Sequence, residues 1–439
     1  MRPNRLQGSG KLSVRLVAIA PSSDFVWGSL QKLRLGTFLQ CRLDAFFVMN
    51  GSQIGRRSFL RSGLAASAVV VVTPPLRSRT FAAALLQQRH LAPVRVSRER
   101  LIRTVVGLRP FRSEGFVVEA EKLREKLLVH NYGHGGAGVT LSWGTASLAL
   151  DLARDFIQSN SQRSARNRNR HLNFAVLGCG VSGLSTARLL QRRFGDSTGN
   201  ITIYAKNLPP DTTSNVAGAW WYPSSAFDPE NATAKFTEQF RLACQISHRA
   251  FQTLVGPEFG VRWADTYELI RHEESLQREL LGGAQLYPQT EIHRGAESYF
   301  GFPYTRQFSS MLIEPHTYLR ALLRDFYIAG GKVVVKEFKT REEVGRLREN
   351  VIFNCTGLGA RALFNDEKLI PVRGQLEVLL PQAEIDYCYL AGGLYMFPRR
   401  DGIILGGTWD HDDWNLEPDP KTTSAILEAH AEIMKGATR

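Results

Sequence analysis

Gly178, Gly180 and Gly183 stand at the spacing of a phosphate-cradling turn, between the apolar run Asn173-Phe174-Ala175-Val176-Leu177 and a helical pattern over 184–194. In such a turn the first glycine permits the sharp bend, the second lets backbone approach a pyrophosphate, and the third lets helix pack on strand. Val181 and Ser182 open the helix, whose unpaired N–H groups and positive dipole end attract phosphate oxygens. A second stretch, 130–144, places Gly135 and Gly136 where backbone can meet a bound ligand with no Cβ in the way. Gly138, Val139 and Thr140 begin another helix there, with another positive end. Ahead of both, Arg109 in Val106-Gly107-Leu108-Arg109-Pro110 carries a guanidinium able to fork onto a carboxylate through two parallel hydrogen bonds. The plain alternative for Arg109 is a structural ion pair, since most arginines serve surface or structure.

The glycine turn means a dinucleotide only if strand, turn, helix and second strand follow in order. They do, with Asn200-Ile201-Thr202-Ile203-Tyr204 as the second strand. The turn alone does not choose between FAD and NAD. An acid is expected about 20 residues on, to grip the ribose. Lys206-Asn207 stand there instead, and Asn207 can still hydrogen-bond a hydroxyl. Upstream, after a short lead-in from residue 95, the stretches 104–109, 116–120 and 126–130 alternate or run apolar, as strands do. Apolar residues recur at helical spacing over 138–157. The stretch 159–171 is polar, rich in Ser, Asn and Arg, and reads as a linker. Helices alternate with short strands over roughly 225–345. Val351-Ile352-Phe353-Asn354-Cys355-Thr356-Gly357 is a buried strand ending in a turn, 403–408 a further strand, and 422–435 a last helix.

At 439 residues, 43% hydrophobic and 22% charged, the chain has material for two globular domains. Its formal charge of +14 invites a nucleic-acid reading. Residues 1–84, however, carry 12 Lys and Arg against only Asp24 and Asp44, so most of the excess sits in one segment. That segment holds Gly55-Arg56-Arg57-Ser58-Phe59-Leu60-Arg61, an apolar run over 63–72 and Ala82-Ala83-Ala84, the layout of a twin-arginine export signal with an A-x-A cleavage site. The apolar run is shorter than the about 20 residues needed to cross a bilayer. The expectation is a leader over 1–84, with Met49 as the true start, a partner translocase during export, a periplasmic or extracellular destination, and no nucleic-acid partner. No C-x-x-C pair occurs among the five cysteines, so neither zinc nor dithiol chemistry is indicated. His130 and His134 lack acidic or thiol companions, and no metal site is expected. The cluster Asp410-His411-Asp412-Asp413 reads as a solvated loop.

Taken together, Val106-Gly107-Leu108-Arg109-Pro110, the stretch 130–144, the glycine turn, the segment Leu208-Pro209-Pro210-Asp211-Thr212-Thr213-Ser214-Asn215-Val216-Ala217-Gly218-Ala219-Trp220-Trp221-Tyr222-Pro223, Asn354-Cys355-Thr356-Gly357 and Arg373-Gly374-Gln375 resemble the D-amino-acid oxidase family from about residue 95 onward. In that family the first two motifs close the chain; here they precede the glycine turn, so the order reads as circularly permuted. The linker 159–171 lies where the family's two chain ends would meet, and close surface termini make such a re-cut tolerable. The resemblance implies an α/β fold, a FAD-binding Rossmann-like domain with a mixed-sheet α+β substrate domain. Residues 85–158 would be the moved segment and 172–439 the FAD-binding domain interleaved with the substrate domain.

By the same resemblance, FAD is the cofactor, held by Gly178, Gly180, Val181, Ser182, Gly183, Lys206, Asn207, Thr212, Thr213, Ser214, Ala217, Gly218, Ala219, Thr356 and Gly357. Gly135, Gly138, Val139 and Thr140 would face the flavin. Arg109 and Tyr395 would bind the substrate α-carboxylate, and the Gly136 carbonyl would accept from its amine. The family's lid tyrosine has no match where Ala391 stands, and Tyr389 or Tyr387 are the candidates to replace it. The implied reaction is oxidative deamination of a D-amino acid to a 2-oxo acid, ammonia and hydrogen peroxide, by hydride transfer from Cα to flavin N5. Alternatives are a dehydrogenase with a non-oxygen acceptor, a glycine or D-aspartate substrate, or a non-catalytic FAD-binding protein.

Overall fold

The structure is a computed structural model describing residues 89–166, 172–194 and 199–438; the twin-arginine segment lies outside the described residues. β1 (Leu101–Phe111), β2 (Val117–Leu123) and β3 (Lys126–Tyr132) lead into α1 (Gly138–Arg166). Next come β4 (Phe174–Leu177), α2 (Val181–Phe194), β5 (Ile201–Ala205), the single turn α3 (Thr213–Val216) and α4 (Ala234–Gln252). They are followed by β6 (Val261–Ile270), β7 (Glu291–Arg294), β8 (Tyr304–Ile313) and α5 (Pro315–Ile328). After β9 (Lys332–Val335), α6 (Arg341–Gly345), β10 (Val351–Asn354) and α7 (Gly359–Phe364), the chain builds β11 (Ile370–Leu379) and β12 (Tyr387–Ala391). Last are β13 (Leu394–Arg399), β14 (Gly402–Gly406), β15 (Asp410–His411) and α8 (Pro420–Lys435).

Two sheets organise these elements. The first runs β2-β3-β10-β4-β5-β9, parallel throughout except for the β2/β3 pair. Its central strands β4 and β10 are buried at every position, which suits their unbroken apolar runs to a sheet covered on both faces. On α2, Val181, Leu184, Ala187 and Leu190 fall on one stripe and are buried against it. Because the strands are parallel, β3, β4, β5, β9 and β10 all end at one edge, where ligands bind in folds of this type. The second sheet runs β1-β11-β14-β13-β12-β6-β8-β7, with β15 attached to β11, and only β12 and β6 pair parallel. It sets Gly107 opposite Gly374 and Tyr395 opposite Gly406.

Of the first three strands only β3 lies inside a sheet, between β2 and β10; β2 is that sheet's edge, and β1 is the edge of the second sheet beside β11. The lead-in meets the last helix: Leu91 and Val94 share an apolar cluster with Ile433 and Met434, and the Val94 N–H donates to Met434 Sδ at 3.1 Å. Burial of one such aliphatic side chain stabilises by about 1.5–3 kcal/mol. Two sequence expectations need correction. The stretch 159–171 is not wholly a linker, because α1 continues to Arg166. It contains no Pro or Gly to stop the helix, so the backbone ladder simply runs on. Asp410 to Asp413 is exposed but not idle: β15 pairs with β11, and Asp410 and Asp413 lie 3.5 and 3.6 Å from the guanidinium of buried Arg373.

Candidate functional site

One cavity of about 1710 Å³ opens along the edge where the parallel strands end. It exceeds the about 300–1,000 Å³ of a single small-ligand pocket. All the cofactor candidates except Gly183 line it, together with Arg109, Gly136 and Tyr395. The strand-to-helix turn is built as the glycines require. Gly178 has φ +103°, and a Cβ there would stand 2.4 Å from the Cys355 carbonyl oxygen. At Gly183 a Cβ would come 2.0 Å from the Gly178 carbonyl, so this glycine serves helix packing and stands off the cavity. Ser214 Oγ accepts from the Val181 N–H at 3.0 Å and so sits over the start of α2. Across the turn, Asn354 Oδ1 accepts from the Thr356 N–H (3.2 Å) and hydroxyl (2.7 Å), which fixes the bend after β10.

The two histidines of the 130–144 stretch are supports. Contrary to the sequence expectation His130 has an acidic companion: its Nδ1 faces the Asn354 amide at 3.0 Å and its Nε2 lies 3.0 Å from Glu121, whose other oxygen holds Arg341. Burial pushes the His130 ring below its ordinary pKa, partly offset by Glu121. His134 is fully buried, pushed down to about 4, with Nε2 against Asn131 Oδ1 and Thr145 Oγ1 at 3.1 Å each. Among the described residues no group of three metal-ligating side chains occurs. Gly135, at φ +55°, and Gly136 pass close under another loop: the Gly136 N–H donates to the Ser225 carbonyl at 2.9 Å. Gly138, Val139 and Thr140 start α1 on the cavity wall, so its positive end faces the space within.

At the far end Arg109 and Tyr395 meet. Arg109 Nη2 donates to Tyr395 Oη at 3.4 Å, and Nη1 reaches the Arg373 and Thr408 carbonyls at 3.3 Å. These are long bonds, leaving donors for a stronger acceptor. The guanidinium lies over the Trp409 ring at 5.1 Å. Two glycines make this possible. A Cβ on Gly374 would stand 2.3 Å from Arg109 Nη1, and one on Gly406 would stand 2.2 Å from the Tyr395 ring. Both side chains thus lie flat on bare backbone of β11 and β14. A Cβ built on Gly136 would stand 3.7 Å from Arg109 Cδ, so the three candidates share one end of the cavity.

Tyr387 and Tyr389 do not replace a lid tyrosine, contrary to the sequence expectation. Tyr387 is buried and donates to the Ala92 carbonyl at 2.6 Å; Tyr389 is buried and bonds His430 Nδ1. β12 and β13 join through Gly392-Gly393 alone, both at positive φ, so this connection is too short to carry a lid. Ser225, Thr408, Trp409 and the partnership of Gly374 and Gly406 with their cross-strand neighbours carry no sequence motif. Nor does Glu268, which follows Tyr395 and Leu390 across one row of the sheet, or Arg306 beside it. Glu268 Oε2 lies 2.9 Å from Arg306 Nε, out of line with the N–H, while the other two nitrogens donate to Arg278 (2.6 Å) and Ser275 (3.1 Å) carbonyls. Burial raises the Glu268 carboxyl, and Arg306 opposes that shift. Alternation within strands marked these positions, but only sheet register shows them in one row.

The sequence pattern of the FAD dependent oxidoreductase family (DAO) matches residues 38–152 and 173–439. A D-amino-acid oxidase of Rubrobacter xylanophilus is 34% identical over 261 residues, 57% of this chain and 74% of that protein. The D-aspartate oxidase of Homo sapiens is 30% identical over 258 residues, 58% of this chain and 73% of that protein. A glycine oxidase structure from Bacillus cereus superposes with a TM-score of 0.45 at 15% identity, covering 60% of this chain and 77% of that one.

Proposed function

The chain belongs to the FAD dependent oxidoreductase family, and from that premise we propose that it oxidises D-amino acids with oxygen to 2-oxo acids, ammonia and hydrogen peroxide. It is a FAD-dependent amino-acid oxidoreductase; the D configuration and the acceptor are the proposal. The residues fit the cofactor: the Cβ-free cradle at Gly178 and Gly180, the positive end of α2 and the long cavity accept a dinucleotide. FAD, when bound, supplies the two-electron acceptor for the substrate Cα–H bond.

The protein's share is orientation. Arg109 and Tyr395 Oη hold the carboxylate, and the Gly136 carbonyl accepts from the amine, fixing two of the four groups around Cα. Fixing a third direction, through the cavity wall, selects one enantiomer. Positioning of this kind supplies several kcal/mol of a barrier. His134 is neutral and held by two partners, so it supports the loop and does not take the substrate proton. The imine product hydrolyses in water. The observation carrying this reading is the Arg109–Tyr395 pair lying flat on Gly374 and Gly406 beside Gly136. Incubating the purified flavoprotein with D-alanine and L-alanine in air tests it. Pyruvate and peroxide in equal amounts from the D form alone are expected; pyruvate without peroxide would move the protein to a dehydrogenase.

Two further expectations belong here. Arg56-Arg57 before the apolar run supports export through the twin-arginine translocase; replacing both with lysine should retain the protein in the cytoplasm. The contact of Val94 with Met434, and the inner place of β3, support a circularly permuted chain.

A further inference from the structure

Folds with this glycine turn grip the adenosine ribose with an acid at the end of the second parallel strand. Here β5 ends in Lys206-Asn207, and neither side chain is a carboxylate. The neighbouring strand supplies one. β5 pairs in parallel with β9, Ala205 opposite Val335, so the next two steps bring Lys206-Asn207 level with Lys336-Glu337. Lys206 Nζ stands 3.2 Å from Glu337 Oε1, and Lys339 Nζ donates to Glu337 Oε2 at 2.5 Å. Lys206, Asn207, Lys336, Glu337 and Phe338 line the same cavity as the Gly178 cradle.

We propose that Glu337, steadied by Lys206, is the carboxylate that binds the adenosine ribose hydroxyls of FAD, displaced by one strand from its usual place. The inference rests on FAD being the cofactor. The lysines do not exhaust the carboxylate: it offers about four acceptor sites, and each lysine occupies one. They do hold it in place, and with it held the hydroxyls meet an oriented acceptor instead of a free side chain. The arrangement also accounts for the lysine at 206. An acid there would face Glu337 as a like charge, whereas lysine makes the transfer of the carboxylate to β9 electrostatically favourable.

The test uses the full chain, freed of flavin and retitrated with FAD and with a FAD analogue whose adenosine ribose lacks both hydroxyls, following flavin fluorescence. The wild type is expected to bind FAD at least 10-fold tighter than the analogue. Glu337→Ala, which removes the acceptor, should weaken FAD by about that factor and bind the two cofactors alike. Glu337 is partly exposed, so the melting temperature of the flavin-free variant should match the wild type. Equal affinity of the wild type for both cofactors, or discrimination that persists undiminished in Glu337→Ala, overturns the proposal. A chain that takes up no FAD would instead defeat the cofactor assignment beneath it.

Discussion

The Arg109 guanidinium makes no hydrogen bond shorter than 3.3 Å to the described residues, yet it is pinned by Tyr395, two carbonyls and the Trp409 face. A guanidinium held this way loses little freedom on binding a carboxylate. Arg109→Lys should therefore keep FAD, since it removes no cofactor contact, but raise KM for D-alanine by about 100-fold, the about 2–3 kcal/mol of a charge-assisted pair. Steady-state kinetics alongside the flavin spectrum check both halves. Gly374→Ala makes a subtler case. Its Cβ would invade the Arg109 guanidinium, so kcat/KM should fall at least 10-fold while the melting temperature barely moves. Arg109 and Gly136 were legible in the sequence because they lie inside contiguous motifs. The need for glycine at 374 and 406 was not, because it comes from side chains on neighbouring strands. His134 and His430, each pushed down to about 4 by burial, give a pH dependence. Their folded values lie below the ordinary 6.5, so the unfolded chain takes up protons first and stability falls as pH drops from 6.5 toward 4. Each contributes at most about 1.4 kcal/mol per pH unit. Melting temperature should be lower at pH 5 than at pH 7.5, and His430→Gln should narrow the gap.

Strands and helices were largely readable at the scale of single elements. The all-apolar runs of β4 and β10, and the stripe on α2, follow directly from burial on two faces or one. The end of α1 was not, because a polar, glycine-free stretch can extend a helix as readily as leave it. The lid tyrosine was half legible: its absence at Ala391 was visible, but the fate of Tyr387 and Tyr389 depended on Ala92 and on His430 in α8. The Gly392-Gly393 turn shapes the hairpin and lines the same cavity as the Arg109–Tyr395 pair, but a Cβ built on either glycine meets nothing within 4 Å. Replacing both with alanine forces side chains into positive φ at about 1–2 kcal/mol each. A drop of several degrees in melting temperature with KM for D-alanine within twofold is expected. A large KM change would show that the turn contributes to substrate binding after all.

At the scale of the whole molecule, early and late stretches of the chain meet in the same two sheets. β2, β3 and α1 come early in the chain yet complete a sheet whose other strands come after residue 172. A chain re-cut to start at residue 172 and stop near 166, with residues 438 and 89 joined by a short Gly-Ser tether, should fold, take up FAD and turn over at a rate within about tenfold of the parent. An insoluble or colourless product would argue that the present order is itself needed for assembly.

Anaerobic mixing of the purified flavoprotein with D- and L-amino acids, followed by the oxidised flavin absorbance, tests the substrate assignment. Bleaching by D-amino acids alone is expected, abolished in Arg109→Ala. Bleaching by the L series, or equal bleaching with and without Arg109, would contradict it.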